Sequence, residues 1–245
     1  MRNLKYLGPV AIMCAAVLWS FDGLLRQYLS EVPALMVVLL EHFFGALLLT
    51  PLLFKGWKEI KTLPNRAWIS VLWVSLFGGL LGTFFYTKAL SYINYIDLSV
   101  VVLLQKFQPF FAIGLAAVLL REPLTKNYLI CAVAAIAGGY LVTFENGLPV
   151  MEMDDKTLIA GLMALCAAFA WGSSTVLGKH ALKHLSFFSL TGLRLWITTF
   201  IAVVVILFMG NSPMDGSLNK TEWFTILTIV LSTGTVALFI YYYGL

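Results

Sequence analysis

Apolar residues run along this chain in long, nearly unbroken blocks, and the interruptions are short and rich in Pro, Gly, Asn, Lys and Ser. Eight blocks can be read, at residues 7–29, 33–54, 68–92, 97–120, 127–144, 158–182, 187–209 and 222–243. Most match the ~20 residues that a helix needs to span hydrocarbon. Turn-forming separators such as Ser30-Glu31-Val32-Pro33, Asn146-Gly147-Leu148-Pro149 and Gly210-Asn211-Ser212-Pro213 punctuate them. The blocks lack strand alternation and are too long for barrel strands. Helices close their own backbone hydrogen bonds, as hydrocarbon requires. The pattern predicts an all-α integral membrane protein with about eight transmembrane helices.

Composition sharpens this. The chain is 60% hydrophobic and 11% charged, with a mean hydropathy of +0.91, far below the roughly 25% charge of a soluble domain. Lipid is therefore its solvent. Lys and Arg set the orientation. With the N-terminus inside, Arg2, Lys5, Lys55, Lys58, Lys61, Arg66, Arg121, Lys126, Lys179 and Lys183 all fall on the cytoplasmic side. The acidic stretch Glu152, Asp154 and Asp155 falls outside. The net charge of +4 thus reflects topology and gives no reason to expect a nucleic-acid partner. The expected location is a plasma membrane, the inner membrane of a bacterium, with a cytoplasmic N-terminus. The first block is too long for a secretory signal and lacks a cleavage pattern. Cys14, Cys131 and Cys166 all lie in spans without metal spacing and read as small packing residues.

The chain also repeats itself. Cys14-Ala15-Ala16-Val17-Leu18-Trp19 returns as Cys166-Ala167-Ala168-Phe169-Ala170-Trp171, displaced by 152 residues. Further on, Trp68 matches Trp223, and Phe85-Tyr86-Thr87-Lys88-Ala89-Leu90 matches Ile240-Tyr241-Tyr242-Tyr243-Gly244-Leu245, displaced by 155. The expected organisation is a first five-helix repeat at 1–146, an outer connecting loop at 147–157, and a second copy at 158–245 holding three helices. That copy is incomplete, so the sequence reads as cut short. Five is odd, so the second copy enters the membrane from the opposite side. This is an inverted-topology repeat, the plan of many transporters.

Two stretches carry a family resemblance. One is Pro109-Phe110-Phe111 leading to Arg121-Glu122-Pro123-Leu124-Thr125 and then Ala134-Ala135-Ile136-Ala137-Gly138-Gly139. The other is Ala170-Trp171-Gly172-Ser173-Ser174 with Leu193-Arg194-Leu195. In order and spacing they resemble the EamA-like branch of the drug/metabolite transporter superfamily. The resemblance implies ten helices in two inverted units and movement of small metabolites, often outward. The first copy departs from the pattern, with Ser20-Phe21-Asp22 in place of small residues and Glu41-His42 near the usual Arg.

Polar residues inside spans are the site candidates, because a charge at mid-membrane costs roughly 2.5–3.5 kcal/mol and needs a partner or a wet cavity. Glu41 and Lys106 lie at similar depth, about 12 and 14 Å from the outer ends of their helices at ~1.5 Å per residue. They are expected to face one cavity, paired or bridged. Gln105 and Gln108 flank Lys106 and supply directional hydrogen bonds. Asp22 and Arg26 form an i,i+4 pair, read mainly as a local pair or a snorkelling rim. His42 is placed between lumen and packing, and its titration range suits coupling to protons. Arg194 reads as an anchor for packing or an inner gate. Trp19, Trp73, Trp171 and Trp196 are deep enough to line a cavity, and Pro109 predicts a bend.

The stretch from Gly172 to His180 imitates a phosphate loop but lacks its final Ser or Thr. With no cofactor motif and no metal-ligand spacing, the expectation is a non-enzymatic secondary transporter or facilitator. It would export a small metabolite by alternating access between the two repeats, with a proton as candidate coupling ion. A passive channel and a membrane-embedded enzyme using Glu41 or His42 are the alternatives.

Overall fold

The computed structural model describes residues 4–92, 94–119, 125–143, 155–209 and 217–245. The expected loop at 147–157 falls outside them except for its last three residues, as do Arg121, Glu122, Pro123 and Leu124 of the family motif and Glu152 and Asp154.

The described residues form helices and turns. In chain order the helices are α1 (Leu4–Ser20), α2 (Asp22–Gln27), α3 (Ala34–Lys55), α4 (Trp57–Lys61), α5 (Asn65–Trp73), α6 (Gly82–Leu90), α7 (Leu98–Gln105), α8 (Gln108–Leu119), α9 (Lys126–Thr143), α10 (Asp155–Ala181), α11 (Phe187–Met209), α12 (Lys220–Ile229) and α13 (Thr235–Gly244). Two π-helical segments, Val74–Leu81 and Val230–Gly234, join α5 to α6 and α12 to α13.

Among the described residues, seven helical stretches are long and apolar enough to cross a membrane: Leu7–Gln27, Ala34–Lys55, Asn65–Leu90, Leu98–Leu119, Asp155–Ala181, Phe187–Met209 and Lys220–Gly244. The pattern predicts eight; over the remaining block, α9 contributes a shorter apolar stretch, Leu129–Leu141, among the described residues.

Local chemistry explains where helices begin and break. Asn219 and Glu222 form a reciprocal cap at the start of α12. The Glu222 amide donates to Asn219 Oδ1 at 2.9 Å, and the Asn219 amide donates to Glu222 Oε2 at 2.7 Å. The fourth span is broken at Lys106-Phe107, between α7 and α8. Pro109 has no N–H to give the Gln105 carbonyl, and its ring crowds that carbonyl, so the helix cannot run straight through. The first span is likewise interrupted at Phe21.

Packing follows small residues. α3 and α11 lie against each other through the centre of the molecule, α10 packs on α6 and α8, and α1 packs on α13. A side chain at Gly172 would meet the Gln108 carbonyl oxygen at 2.8 Å and Phe111 Cβ at 2.9 Å, so only glycine lets α10 approach α8 here. Buried hydroxyls bond back along their own helices, as Thr50 does to the Ala46 carbonyl and Ser75 to that of Val71. Cys14, Cys131 and Cys166 are exposed on the outside of the bundle, so they are not the packing residues that their small size suggested.

Candidate functional site

An ion network occupies the middle of the bundle. Asp22 opens α2 and reaches Arg26 one turn later, with Oδ2 2.6 Å from Nε. The guanidinium also donates from Nη2 to Glu41 Oε2 on α3 at 2.8 Å, and from Nη1 to Thr87 Oγ1 on α6 at 2.9 Å. Thr233, in the second π segment, donates to Asp22 Oδ1 at 2.5 Å. One Arg thus ties two carboxylates and a hydroxyl from three spans, and Thr233 joins a fourth. The planar guanidinium, with five donors, suits this role; an ammonium on a flexible stem does not.

This arrangement corrects two expectations. Arg26 is only 3% exposed, so it does not snorkel to a rim. The ion-pair partner of Glu41 is Arg26, not Lys106. Among the described residues, Lys106 has no hydrogen-bond or ion-pair partner for its ammonium. It occupies the break between α7 and α8, where the turn points the chain away from regular helix. Gln105 and Gln108 flank it, and Gln105 Nε2 donates to Gln108 Oε1 at 3.0 Å.

His42 is buried, with Nδ1 2.9 Å from the Val38 carbonyl one turn back. A carbonyl only accepts, so this contact puts the proton of a neutral ring on Nδ1 and leaves Nε2 as an acceptor. Arg194 on α11 donates from Nη1 to the Tyr242 hydroxyl at 2.8 Å and from Nη2 to the Gly78 carbonyl at 2.6 Å. Trp171 Nε1 donates to the same carbonyl at 3.0 Å. Gly78 lies in the first π segment, and such segments commonly mark functional sites. Arg194 Nε is buried without a partner among the described residues.

Aromatic rings complete the site in a crossed arrangement. Trp19 of the first span meets Tyr241 of the last at 5.1 Å between ring centroids, and Trp171 meets Tyr86 of the third span at 5.3 Å. In the sequence repeat Trp19 corresponds to Trp171, and Tyr86 to Tyr241.

Most of these groups surround one cavity of about 420 Å³, within the roughly 300–1,000 Å³ usual for small-molecule sites. Its wall includes each of the nine residues singled out from the sequence: Asp22, Glu41, His42, Gln105, Gln108, Lys106, Arg194, Trp19 and Trp171. Trp73 and Trp196 are not part of the wall. Trp73 stacks on Phe77 and donates to Ser173, and Trp196 donates to Thr50. Sequence reasoning passed over Thr83, Tyr86, Ser174, Thr175, Thr233, Tyr241 and Tyr242, which also line the cavity. The matching Tyr86 and Tyr241 were the available signal.

A second feature lies outside the spans. Glu59, on the short helix α4, accepts from the Ser186 amide and from Ser186 Oγ, both at 2.8 Å, at the start of α11. Partial burial pushes the Glu59 carboxyl up, but the Ser186 and Ser189 hydrogen bonds outweigh it and hold the group below the usual glutamate range.

Comparison with known proteins agrees with this architecture. A model described as the EamA-like transporter family matches residues 6–144 and 158–245. The riboflavin transporter ImpX of Fusobacterium nucleatum subsp. nucleatum is 40% identical over 242 residues, covering 97% of this chain and 80% of that protein. The uncharacterized transporter YoaV of Bacillus subtilis is 22% identical over 227 residues, covering 92% of this chain and 75% of that one. A crystal structure of a protein 18% identical superposes with a TM-score of 0.73, over 97% of this chain and 78% of its own, a likeness of fold. A helical membrane protein built around one polar and aromatic cavity, matched over nearly its whole length, this chain belongs to the EamA-like transporter family and is a transporter, not an enzyme.

Proposed function

We propose that this protein is a secondary transporter that binds a flavin, of the riboflavin type, in the central cavity and carries it across the membrane by alternating access. The observation that carries this reading is the crossed pair of aromatic contacts, Trp19 with Tyr241 and Trp171 with Tyr86, on the wall of a cavity also lined by Asp22, Arg26, Glu41, His42, Lys106 and Arg194. Large aromatic faces suit a planar ring, and the polar groups suit carbonyls, ring nitrogens and hydroxyls. The 40% identical relative is named for riboflavin, which supports the substrate class.

The same crossed contacts support an inverted repeat. The first helix of each copy packs on the third helix of the other, as α1 does on α13 and α10 on α6. The second helices, α3 and α11, meet at the centre. A π segment recurs in both third helices, at Val74–Leu81 and Val230–Gly234. In this reading 1–146 is one five-helix copy with α9 as its fifth span, giving eight spans in all. Residues 147–157 connect the copies, and 158–245 supplies three helices of the second. Lys55, Lys58, Lys61, Arg66, Lys179 and Lys183 then put the N-terminus in the cytoplasm of a bacterial inner membrane. Glu41 and His42 are the candidate proton-coupling groups, and Lys106 contacts substrate.

Purified protein in liposomes, preloaded with unlabelled riboflavin, should accelerate entry of labelled riboflavin. Leakage without counterflow would favour a channel, and no riboflavin movement in either format would remove the flavin assignment. Net flux against vesicles of defined orientation and pH gradient tests the outward direction and the proton.

A further inference from the structure

We infer that the cavity recognises its substrate by the edge of a planar heterocycle bearing a lactam or imide, an N–H beside a ring carbonyl, and that Gln105 and Gln108 are the residues that read this edge. The inference rests on the reading of the cavity as a flavin site and names the part of the flavin ring that is bound.

A carboxamide has one carbonyl and two N–H donors. The bond from Gln105 to Gln108 uses one donor of the first and the carbonyl of the second. Among the described residues it leaves the Gln105 carbonyl and the Gln108 amide group unengaged. Exchanging the oxygen and nitrogen of both amides reverses the bond but still leaves one carbonyl and one amide group. The pair therefore offers an acceptor and a donor on neighbouring side chains. The ring fragment that complements such a pair is a donor and an acceptor side by side, as in a lactam or an imide.

The pair is also held in place. Gln105 ends α7 and is buried, Gln108 begins α8, and the Pro109 break fixes the turn between them. Gly172 brings the α10 backbone against the Gln108 carbonyl, which pins the start of α8 from behind. A preorganised pair loses little entropy on binding. Lys106 sits between the two glutamines with its ammonium unpaired among the described residues. It suits a ring carbonyl, whose oxygen carries partial negative charge. With the Asp22, Arg26 and Glu41 network internally bonded, the open hydrogen-bonding capacity of the cavity includes Gln105, Lys106, Gln108 and His42. A linear polyol would satisfy hydroxyl donors and acceptors but would make no use of the aromatic rings of Trp19, Tyr86, Trp171 and Tyr241 on the cavity wall.

The test compares riboflavin with its N3-methyl derivative, which keeps the ring and side chain but loses the imide donor. Binding to the full chain in nanodiscs is read by flavin fluorescence, with D-ribitol as a ring-free control. Riboflavin should bind at least about tenfold tighter than N3-methylriboflavin, because a site built for a donor is left with an unpaired carbonyl. Ribitol should not compete. In Gln105→Met and in Gln108→Met the preference should fall to within about twofold, chiefly through weaker riboflavin binding. Equal binding of the two flavins to the unaltered protein, or a preference that survives both substitutions, would overturn the inference while leaving the flavin reading intact. No riboflavin binding at all would overturn that reading and the inference with it. The comparison of ligands on the unaltered protein needs no variant to fold.

Discussion

Replacing Arg26 by methionine keeps a long apolar stem in place and removes the one charge that holds two buried carboxylates. The structure gives the size of the loss. The charged guanidinium of Arg26 makes three hydrogen bonds, to Asp22 at 2.6 Å, Glu41 at 2.8 Å and Thr87 at 2.9 Å. Hydrogen bonds to charged groups contribute about 1.5–3 kcal/mol each. The net cost should match the roughly 3–5 kcal/mol seen when one partner of a buried ion pair is removed. At about 2–4 °C per kcal/mol for a chain of this size, thermal unfolding in detergent should drop by roughly 6–20 °C. Neutralising the whole set, with Asp22→Asn and Glu41→Gln added to Arg26→Met, should restore most of that stability, because no uncompensated charge then remains. A single variant that unfolds within about 1 °C of the parent, or a triple variant no better than the single one, would refute the reasoning.

Other outcomes follow from particular contacts. Lys106→Met should lower riboflavin counterflow at least about tenfold while thermal unfolding stays within a few degrees, since the ammonium holds no structural partner among the described residues. Gly172→Val should destabilise the fold by about 1–3 kcal/mol, read as a lower unfolding temperature, because its Cβ would collide with the α8 backbone. Glu59 has a folded pKa below its unfolded value, so it stabilises above about pH 4.3, the ordinary glutamate value, and that stability fades as pH falls through the lower folded value. Unfolding midpoints of Glu59→Gln and the parent should therefore differ at pH 7 and converge toward pH 3; a constant gap would contradict this assignment.

The sequence was most informative where the membrane leaves few choices. Hydrocarbon admits only helices here, so block length alone located the seven spans found among the described residues. Buried charge is costly in lipid, so Asp22, Glu41, Lys106 and Arg194 stood out, and the fold gathers all four around one cavity. Pairing was less legible. Glu41 and Lys106 share a depth, but depth does not fix which helix faces which, and the closer Arg26 took the carboxylate. The i,i+4 pair of Asp22 with Arg26 was legible, but its burial was not, because a position near a helix end fits snorkelling as well as burial. Hydroxyls such as Thr87 and Thr233 were invisible because in spans most of them bond back along their own helix. The π segments had no signal beyond their glycines.

Accessibility of Ser20, a cavity-wall residue at the end of α1, decides whether the cavity opens to both sides in turn. A Ser20→Cys variant lacking Cys14, Cys131 and Cys166 would be exposed to a membrane-impermeant thiol reagent in vesicles of each orientation, with and without riboflavin. Alternating access at a shared site predicts labelling from either side and protection by riboflavin on both. Labelling confined to one side, unchanged by riboflavin, would contradict it.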